Sequence, residues 1–129
     1  KDSMYNTPPV FPIYVIMLTL EWMKSIGGIP EIAKRNAKKA ELLYSTVDRL
    51  PIFQGTTAKE DRSEMNATFV LTDAALEPVF DAMWKEAGIS GIRGHRSVGG
   101  YRASMYNALP IESVKVLTEV MEEFANKNG

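Results

Sequence analysis

The chain has 129 residues, 24% of them charged, and a formal net charge of -1, as expected of one globular domain with its own hydrophobic core. That charge argues against a protein that binds nucleic acid through many phosphate contacts, because such binding needs many Lys and Arg residues to neutralise the phosphates. The absence of cysteine and the single histidine exclude disulfides, thiolate metal sites and cysteine nucleophiles, and argue against a transition-metal site.

The chain opens with KDSMYNTPPVFP, which has neither an initiator methionine nor a signal-peptide pattern and predicts a fragment of a longer polypeptide. Residues 3–9, SMYNTPP, have the composition of a turn. A first helix is predicted from Phe11 to Ile26, ended by Gly27 and Gly28. Its apolar run at residues 10–20 is too short to span a bilayer. Because apolar residues surround the helix, we expect it to be buried on most sides and to contact a partner surface as well.

Pro30 begins a second predicted helix of about eighteen residues with an apolar stripe. The stripe contains Ile32, Ala40, Leu43, Tyr44 and Val47. The basic segment KRNAKKAE, residues 34–41, could be a nucleic-acid patch or a solvated helix face. Glutamates interrupt the segment and no aromatic residues interleave with it, so the solvated face is favoured and no nucleic-acid partner is expected.

Shorter elements follow Pro51. IFQG and residues 63–71 are predicted strands, the latter with Met65, Ala67, Phe69 and Leu71 on its buried face. A helix capped by Thr72 or Asp73 ends at Gly88, and its predicted stripe is Leu76, Val79, Phe80 and Met83. ISGIRGHR and GGYRASMY are predicted as two further strands, and a last helix opens at Pro110.

The predicted order is helix, helix, strand, strand, helix, strand, strand, helix. This order predicts an α+β fold in which helices pack on one face of a small, mainly antiparallel sheet. Residues 1–129 are expected to form a single domain, because no repeat or low-complexity linker divides them.

The segment GHRSVGGYRAS, residues 94–104, carries His95, Arg96 and Arg102 around a Gly-Gly pair. A guanidinium binds a carboxylate or phosphate through two parallel hydrogen bonds, and an imidazole can add another donor. Arg102 lies beyond the glycines, so it could bind a second anionic group. The alternative is a glycine-rich hairpin whose arginines pair with surface carboxylates, and spacing alone leaves both interpretations open.

The turn SMYNTPP also has two interpretations. Asn6 and Thr7 stand ahead of the first predicted helix, where side-chain donors and the positive end of the helix dipole can bind a small anion. The same residues could instead cap the helix.

The segments SMYNTPPVFPIYV and GHRSVGGYRASMYNALPIESVKVLTEVMEEF, in this order and separation, resemble the C-terminal part of the phosphoserine aminotransferases. These are class V, fold-type I enzymes that use pyridoxal 5'-phosphate (PLP). EIAKRNAKKAELLY and RSEMNATFVL extend the resemblance over essentially the whole chain. It implies that residues 1–129 are the C-terminal small domain of a longer aminotransferase, without its large lysine-bearing domain.

The resemblance implies amino transfer between O-phospho-L-serine and 2-oxoglutarate in a cytoplasmic homodimer. The pathway would be serine biosynthesis, with pyridoxine biosynthesis as an open further role. Asn6 and Thr7 correspond to residues that reach the cofactor phosphate in the other subunit. Arg102 corresponds to the arginine that binds the substrate α-carboxylate, and His95 and Arg96 to the pair that holds the substrate's side-group anion from the partner subunit.

The same resemblance places the lysine that forms the Schiff base upstream of this chain, so no catalytic residue is assigned here. Most lysines of the chain fall on predicted helices and Lys59 on a loop, and the chain alone is expected to be inactive. Two alternatives remain. One is a stand-alone module that binds an anion or phosphometabolite. The other is a class V aminotransferase with a different substrate, against which the GHR motif argues.

Overall fold

A computed structural model of the chain describes residues 5–129. Its contacts divide into two compact units, the first extending to Lys34 and the second covering Arg35–Gly129. The helices are α1 Val10–Ser25, α2 Gly28–Arg49, α3 Glu77–Glu86 and α4 Ile111–Asn128. The strands are β1 Phe53–Gly55, β2 Asn66–Leu71 and β3 Tyr101–Ser104, and short 3-10 turns cover Lys59–Asp61 and Ala74–Leu76.

Helix α1 dominates the first unit and begins and ends within one residue of the predicted bounds. Its predicted burial is wrong within the described chain, because none of its residues is buried there, and Phe11, Ile16 and Leu20 are 76%, 58% and 53% exposed. The expected contact with a partner surface stays a prediction. An apolar sequence indicates that a helix needs cover, but it does not say which part of a protein supplies that cover. Among residues 5–129 no single helix is long and apolar enough to cross a membrane, and only α1 and α2 together, as a bent pair, meet both conditions.

The second unit contains a three-stranded antiparallel sheet in the order β1-β2-β3. Phe53 pairs with Leu71 across β1 and β2, and Phe69 pairs with Tyr101 across β2 and β3. The predicted alternation is confirmed within β2, where every second residue is buried. Met65 is exposed, because it precedes the strand and its alternating pleat.

The buried face of the sheet packs against the second unit's helices, which confirms the predicted α+β fold. Phe80 of α3 is the centre of an aromatic cluster, with ring centroids 5.3 Å from Phe53, 5.0 Å from Tyr101 and 5.0 Å from Phe124. Such edge and tilted ring contacts are favourable beyond the area they bury. Helix α4 adds Val114, Leu117, Val120 and Met121 to the same core. The opposite face of the sheet carries Arg102, which is exposed.

Two predicted details of the α3–β3 region are wrong. ISGIRGHR does not form a strand, and only an isolated bridge joins Arg93 to Tyr101, because Gly91, at φ +72°, interrupts the extended backbone. Val79 is 45% exposed and Trp84 is buried in its place. Asp73 accepts a hydrogen bond from the Ala75 N–H and caps the preceding 3-10 turn. Helix α3 begins only after that turn, so its buried face follows the Phe80 and Trp84 spacing.

The predicted solvated face of α2 is wrong at Asn36 and Lys39, which are both buried. Lys39 is only 1% exposed, and its Nζ donates hydrogen bonds of 2.9 and 2.7 Å to the carbonyl oxygens of Met105 and Tyr106. Three residues earlier on the helix, buried Asn36 donates to Asn107 Oδ1 at 2.8 Å. Burial lowers the pKa of Lys39. The lysine side chain is long enough for its stem to lie along buried surface while its ammonium group reaches backbone carbonyls. The residue type alone does not show that this occurs.

Candidate functional site

Residues 94–100 form a closed turn, which we call the glycine loop, at the edge of the sheet. The Gly94 N–H donates to the Gly100 carbonyl at 2.8 Å, and the Arg102 N–H donates to the Ile92 carbonyl at 2.7 Å just below it. Inside the loop, the N–H groups of Val98 and Gly99 both donate to the His95 carbonyl at 2.8 Å. The backbone of the loop is therefore held by its own hydrogen bonds.

The loop requires glycine at specific positions. A Cβ on Gly94 would lie 2.1 Å from the Gly99 carbonyl oxygen, far inside contact distance. Gly99 and Gly100 have φ angles of +78° and +63°, in the left-handed region that other residues avoid. The glycines of this loop are thus required by local steric constraints.

His95 and Arg96 lie together on the exposed part of the glycine loop. His95 Nδ1 is 2.7 Å from Ser97 Oγ and accepts a longer hydrogen bond, 3.3 Å, from the Ser97 N–H. Because these residues form a turn rather than a strand, the alternation that sends neighbouring strand side chains to opposite faces does not apply to them.

Arg102 lies on β3, on the face of the sheet opposite the hydrophobic core. Its strand neighbours Tyr101 and Ala103 are buried while Arg102 is exposed, and it pairs in register with Thr68 of β2. The Thr68 hydroxyl is bonded to that of Thr56 at 2.7 Å. The residue opposite Arg102 and its hydrogen-bond partner are thus polar and uncharged.

Five of the six arginines divide into two groups by whether a carboxylate pairs with them. Arg49, Arg62 and Arg93 form ion pairs with carboxylates. Within residues 5–129, the Arg96 and Arg102 side chains have no carboxylate partner. The hairpin interpretation, in which arginines pair with surface carboxylates, therefore describes Arg93 but not the two arginines predicted to bind anions.

Arg93 belongs to a charged cluster that sequence reasoning missed. Its Nε and Nη2 bond to Asp81 Oδ2 at 2.9 and 2.8 Å, and Nη1 bonds to Glu77. Glu77 and Asp81 are four residues apart on α3, so they share one helix face. The spacing of these two carboxylates is visible in the sequence and indicates a site for a cation. Which cation lies there depends on the tertiary fold.

Asn6 and Thr7 belong to the first unit and are exposed in the segment before α1. Ser3 and Met4 of the same motif lie outside the described residues. Pro9 occupies the N-cap position of α1, and no side chain caps that helix. The capping interpretation of Asn6 and Thr7 is therefore wrong, and the anion-binding interpretation stays a prediction.

The structure thus brings His95 and Arg96 together on one turn and places Arg102 on the strand that leaves it, while Asn6 and Thr7 lie in the other unit. A groove of about 380 Å³ between β3 and α4 is lined mainly by apolar residues, and none of the predicted residues lines it. Among residues 5–129, no three His, Cys, Asp or Glu side chains are grouped so that they could hold a metal ion.

Known proteins resemble the chain over nearly all of its length. It is 64% identical to a phosphoserine aminotransferase of Flavobacterium psychrophilum across 98% of this chain and 35% of that protein. For a phosphoserine aminotransferase of Porphyromonas gingivalis the identity is 54%, across 99% of this chain and 36% of that protein. The chain therefore spans about a third of the length of these relatives.

Solved structures agree. Phosphoserine aminotransferase from Bacillus circulans subsp. alkalophilus superposes with a TM-score of 0.93 at 42% identity, over 99% of this chain and 36% of that one. The PLP-bound enzyme from Trichomonas vaginalis has a TM-score of 0.86 at 35% identity, over 94% of this chain and 35% of that one. The sequence profile described as Aminotransferase class-V matches residues 1–117. The chain belongs to the class V aminotransferase family.

Proposed function

We propose that this chain is the C-terminal part, the small domain, of a phosphoserine aminotransferase. The complete enzyme would transfer an amino group between O-phospho-L-serine and 2-oxoglutarate, giving 3-phosphooxypyruvate and glutamate. The observation that carries the proposal is the 64% identity over 98% of this chain to an enzyme of that name. The relatives are much longer aminotransferases, which favours an enzyme over a stand-alone anion-binding module.

The chemistry of the substrates supports the assignment of the cationic residues. Phosphoserine and glutamate each carry an α-carboxylate and a second, distal anionic group. We assign Arg102 to the α-carboxylate, and His95 and Arg96 to the distal anion of a substrate bound with the partner subunit. Since neither arginine is engaged by a carboxylate of the described chain, each can bind an anion without first breaking an ion pair.

The residues before α1 suit one part of PLP, its phosphate. With no side-chain cap on α1, the Asn6 amide and the Thr7 hydroxyl can donate to a phosphate, which we propose is the cofactor phosphate of the partner subunit's site. When bound, PLP supplies the electron sink for bond cleavage at the substrate α-carbon. The chain's own contribution is to bind the phosphate and to orient the substrate.

Lys39 does not suit the covalent attachment of PLP. Its Nζ is buried and already donates to two backbone carbonyls, so an aldehyde could reach it only if those hydrogen bonds broke. The remaining lysines on the helices are exposed on the surface. We propose that the attachment lysine lies in the rest of the polypeptide.

Helix α1 supports an assembled enzyme. An exposed apolar helix of this length is unusual for an isolated soluble chain and marks an interaction surface. We propose that the rest of the polypeptide and the second subunit of a homodimer cover it. The cytoplasm, serine biosynthesis and, as an open further role, pyridoxine biosynthesis belong to the same proposal.

The test uses the full-length protein. We expect Arg102→Leu to lower kcat/KM for phosphoserine by about 100-fold, because it removes charge-assisted hydrogen bonds to the α-carboxylate. Arg49→Gln, which breaks only an exposed ion pair with Glu122, is the matched control and should stay within about twofold. Unchanged kcat/KM in the Arg102 variant would refute its role, and no turnover of phosphoserine by the wild type would refute the function.

A further inference from the structure

Asp81 of α3 bonds to the two residues that flank the glycine loop. Its Oδ2 accepts a hydrogen bond of 2.9 Å from Arg93, which precedes the loop, and its Oδ1 accepts one of 3.0 Å from the hydroxyl of Tyr101, which follows it. Arg93 and Tyr101 are also joined by the isolated β-bridge, and Tyr101 is buried. The base of the loop is therefore anchored in the hydrophobic core.

Backbone hydrogen bonds close the loop above this base. The Gly94 N–H donates to the Gly100 carbonyl, and two further N–H groups of the loop donate to the His95 carbonyl. None of these bonds uses a side chain, so the path of the loop does not depend on the His95 imidazole. The backbone leaves two properties of that imidazole open, its rotation and the choice of which ring nitrogen carries the proton.

Ser97 contacts one nitrogen of the His95 ring through two of its own atoms. The Ser97 N–H donates to His95 Nδ1 at 3.3 Å, and Ser97 Oγ lies 2.7 Å from the same nitrogen. A backbone N–H can only donate, so Nδ1 is the acceptor of that hydrogen bond. A hydroxyl can donate or accept, so it donates to Nδ1 as well, and the nitrogen lone pair is shared between the two donors.

These contacts determine the tautomer of the neutral imidazole. Because Nδ1 accepts, the ring proton is on Nε2. The two ring nitrogens are separated by a carbon atom and their hydrogen-bonding directions diverge, so Nε2 points away from Ser97. His95 is exposed. The imidazole therefore presents a single N–H donor away from its own loop, in an orientation that Ser97 holds.

We propose that Ser97 is a positioning residue, which holds His95 so that its Nε2–H donates to the distal anion of the substrate bound with the partner subunit. This inference rests on the proposed function, in which His95 and Arg96 bind that anion. Ser97 acts through His95 and does not itself touch the substrate. A donor that is oriented before the substrate arrives loses less freedom on binding, so its hydrogen bond to the anion contributes more to affinity.

Ser45 provides a matched control in the same unit. It is exposed on α2, and its hydroxyl donates to the Leu42 carbonyl of that helix at 3.0 Å. Ser45→Ala removes one exposed hydroxyl and one hydrogen bond, as Ser97→Ala does, but in a helix that is not part of the glycine loop. Ser97→Thr is the conservative variant, because threonine keeps the hydroxyl.

The experiment is a double-mutant cycle in the full-length protein, with kcat and KM for phosphoserine measured for the wild type, Ser97→Ala, His95→Ala and the double variant. We expect Ser97→Ala to lower kcat/KM by about fivefold, mainly through KM, because a hydrogen bond to a charged group is weakened. In the His95→Ala background the same substitution should change kcat/KM by less than about twofold. Ser97→Thr should restore most of the loss, and Ser45→Ala should stay within about twofold of the wild type.

The outcomes separate the inference from the function on which it rests. If His95→Ala lowers kcat/KM, the positioning role alone is overturned by a Ser97→Ala variant that behaves as the wild type, or by one whose loss is the same with and without His95. Equal losses in Ser97→Ala and Ser97→Thr would overturn it too. If His95→Ala leaves kcat/KM unchanged, the assignment of His95 to the distal anion is overturned and the inference with it. A wild type that does not use phosphoserine overturns the proposed function as a whole.

Discussion

Lys39 is the residue whose environment departs most from what its type suggests. It stands in a basic segment of α2, yet its ammonium group is buried and bonds to the carbonyls that follow β3. A buried charge is tolerated where it is hydrogen-bonded, and leaving its acceptors unpaired is costly. Lys39 therefore ties the end of the strand that carries Arg102 to helix α2.

We predict that Lys39→Met lowers the free energy of unfolding of the 129-residue chain by about 2 kcal/mol, because the carbonyls of Met105 and Tyr106 lose a charged donor. Methionine keeps the apolar length of the side chain, so lost packing contributes little. Urea unfolding followed by circular dichroism measures the change. Lys38→Met, at the exposed neighbouring position, is the control, and equal stability of the two variants would contradict the prediction.

Asp48 gives a second prediction at the residue scale, on pH. The hydrogen bond from Arg62, against a smaller opposing effect of burial, lowers the pKa of Asp48 from 3.8 to about 2. A depressed pKa in the folded state means that the carboxylate stabilises the fold above pH 3.8, and that this contribution is lost as pH falls towards 2. Solvent screens the partly exposed pair, so we expect about 1 kcal/mol rather than the full converted shift.

The measurement compares the wild type with Asp48→Asn in urea at several pH values. The wild type should be more stable by about 1 kcal/mol at pH 7 and at pH 5. The difference should shrink below pH 3.8, where the unfolded chain takes up a proton before the folded one does. A difference that stays constant from pH 5 to pH 3 would show that the Arg62 pair does not depress this pKa.

At the scale of elements, α1 and α2 show which features a sequence specifies locally. Glycines at 27 and 28, Pro30 and the apolar stripe of α2 are signals within one segment, and they predicted both helices closely. The burial of α1 cannot be predicted from its own segment, because it depends on parts of the polypeptide that are distant in sequence. The strand predicted at ISGIRGHR is wrong because Gly91 adopts a φ of +72°, a conformation that glycine permits but that its presence in the sequence does not require.

The candidate site also has features that the local sequence predicts and features that depend on the tertiary fold. The exposed place of Arg102 on β3 could be predicted, because Tyr101 and Ala103 are apolar neighbours in an alternating strand. The sequence does not predict that Arg93 pairs with carboxylates while Arg96, three residues later, does not. The partner of each guanidinium depends on which carboxylates the tertiary fold brings near, and α3 supplies them only to Arg93.

Helix α1 also carries a prediction on association. Ile13, Ile16 and Leu20 follow helical spacing on one exposed face. We expect the 129-residue chain to self-associate in analytical ultracentrifugation, and Ile16→Lys with Leu20→Lys to make it monomeric, because charges remove the apolar patch. Val79→Lys on α3, also at an exposed apolar position, is the control and should still associate. A monomeric wild type would contradict the prediction.

At the scale of the whole molecule, the candidate anion-binding residues lie in a chain whose lysines among residues 5–129 offer no suitable attachment point for PLP. A lysine that binds PLP covalently must reach the cofactor aldehyde as a neutral amine in an enclosed site. The ammonium of Lys39, the one buried lysine among residues 5–129, is fixed by carbonyl acceptors. In the proposed enzyme, binding of the substrate anions and attachment of PLP are therefore assigned to different parts of the polypeptide.

We predict that the 129-residue chain, given PLP, phosphoserine and 2-oxoglutarate, shows no amino transfer. Borohydride reduction followed by peptide mass spectrometry should find no lysine of this chain labelled stoichiometrically, because exposed lysines bind PLP only weakly and Lys39 is engaged. In the full-length protein, treated in parallel as the positive control, one lysine outside these residues should be labelled. Stoichiometric labelling within the chain, together with turnover, would mean that the candidate anion-binding residues and the lysine that binds PLP lie in the same segment. The assignment of these two roles to different parts of the polypeptide would then be wrong.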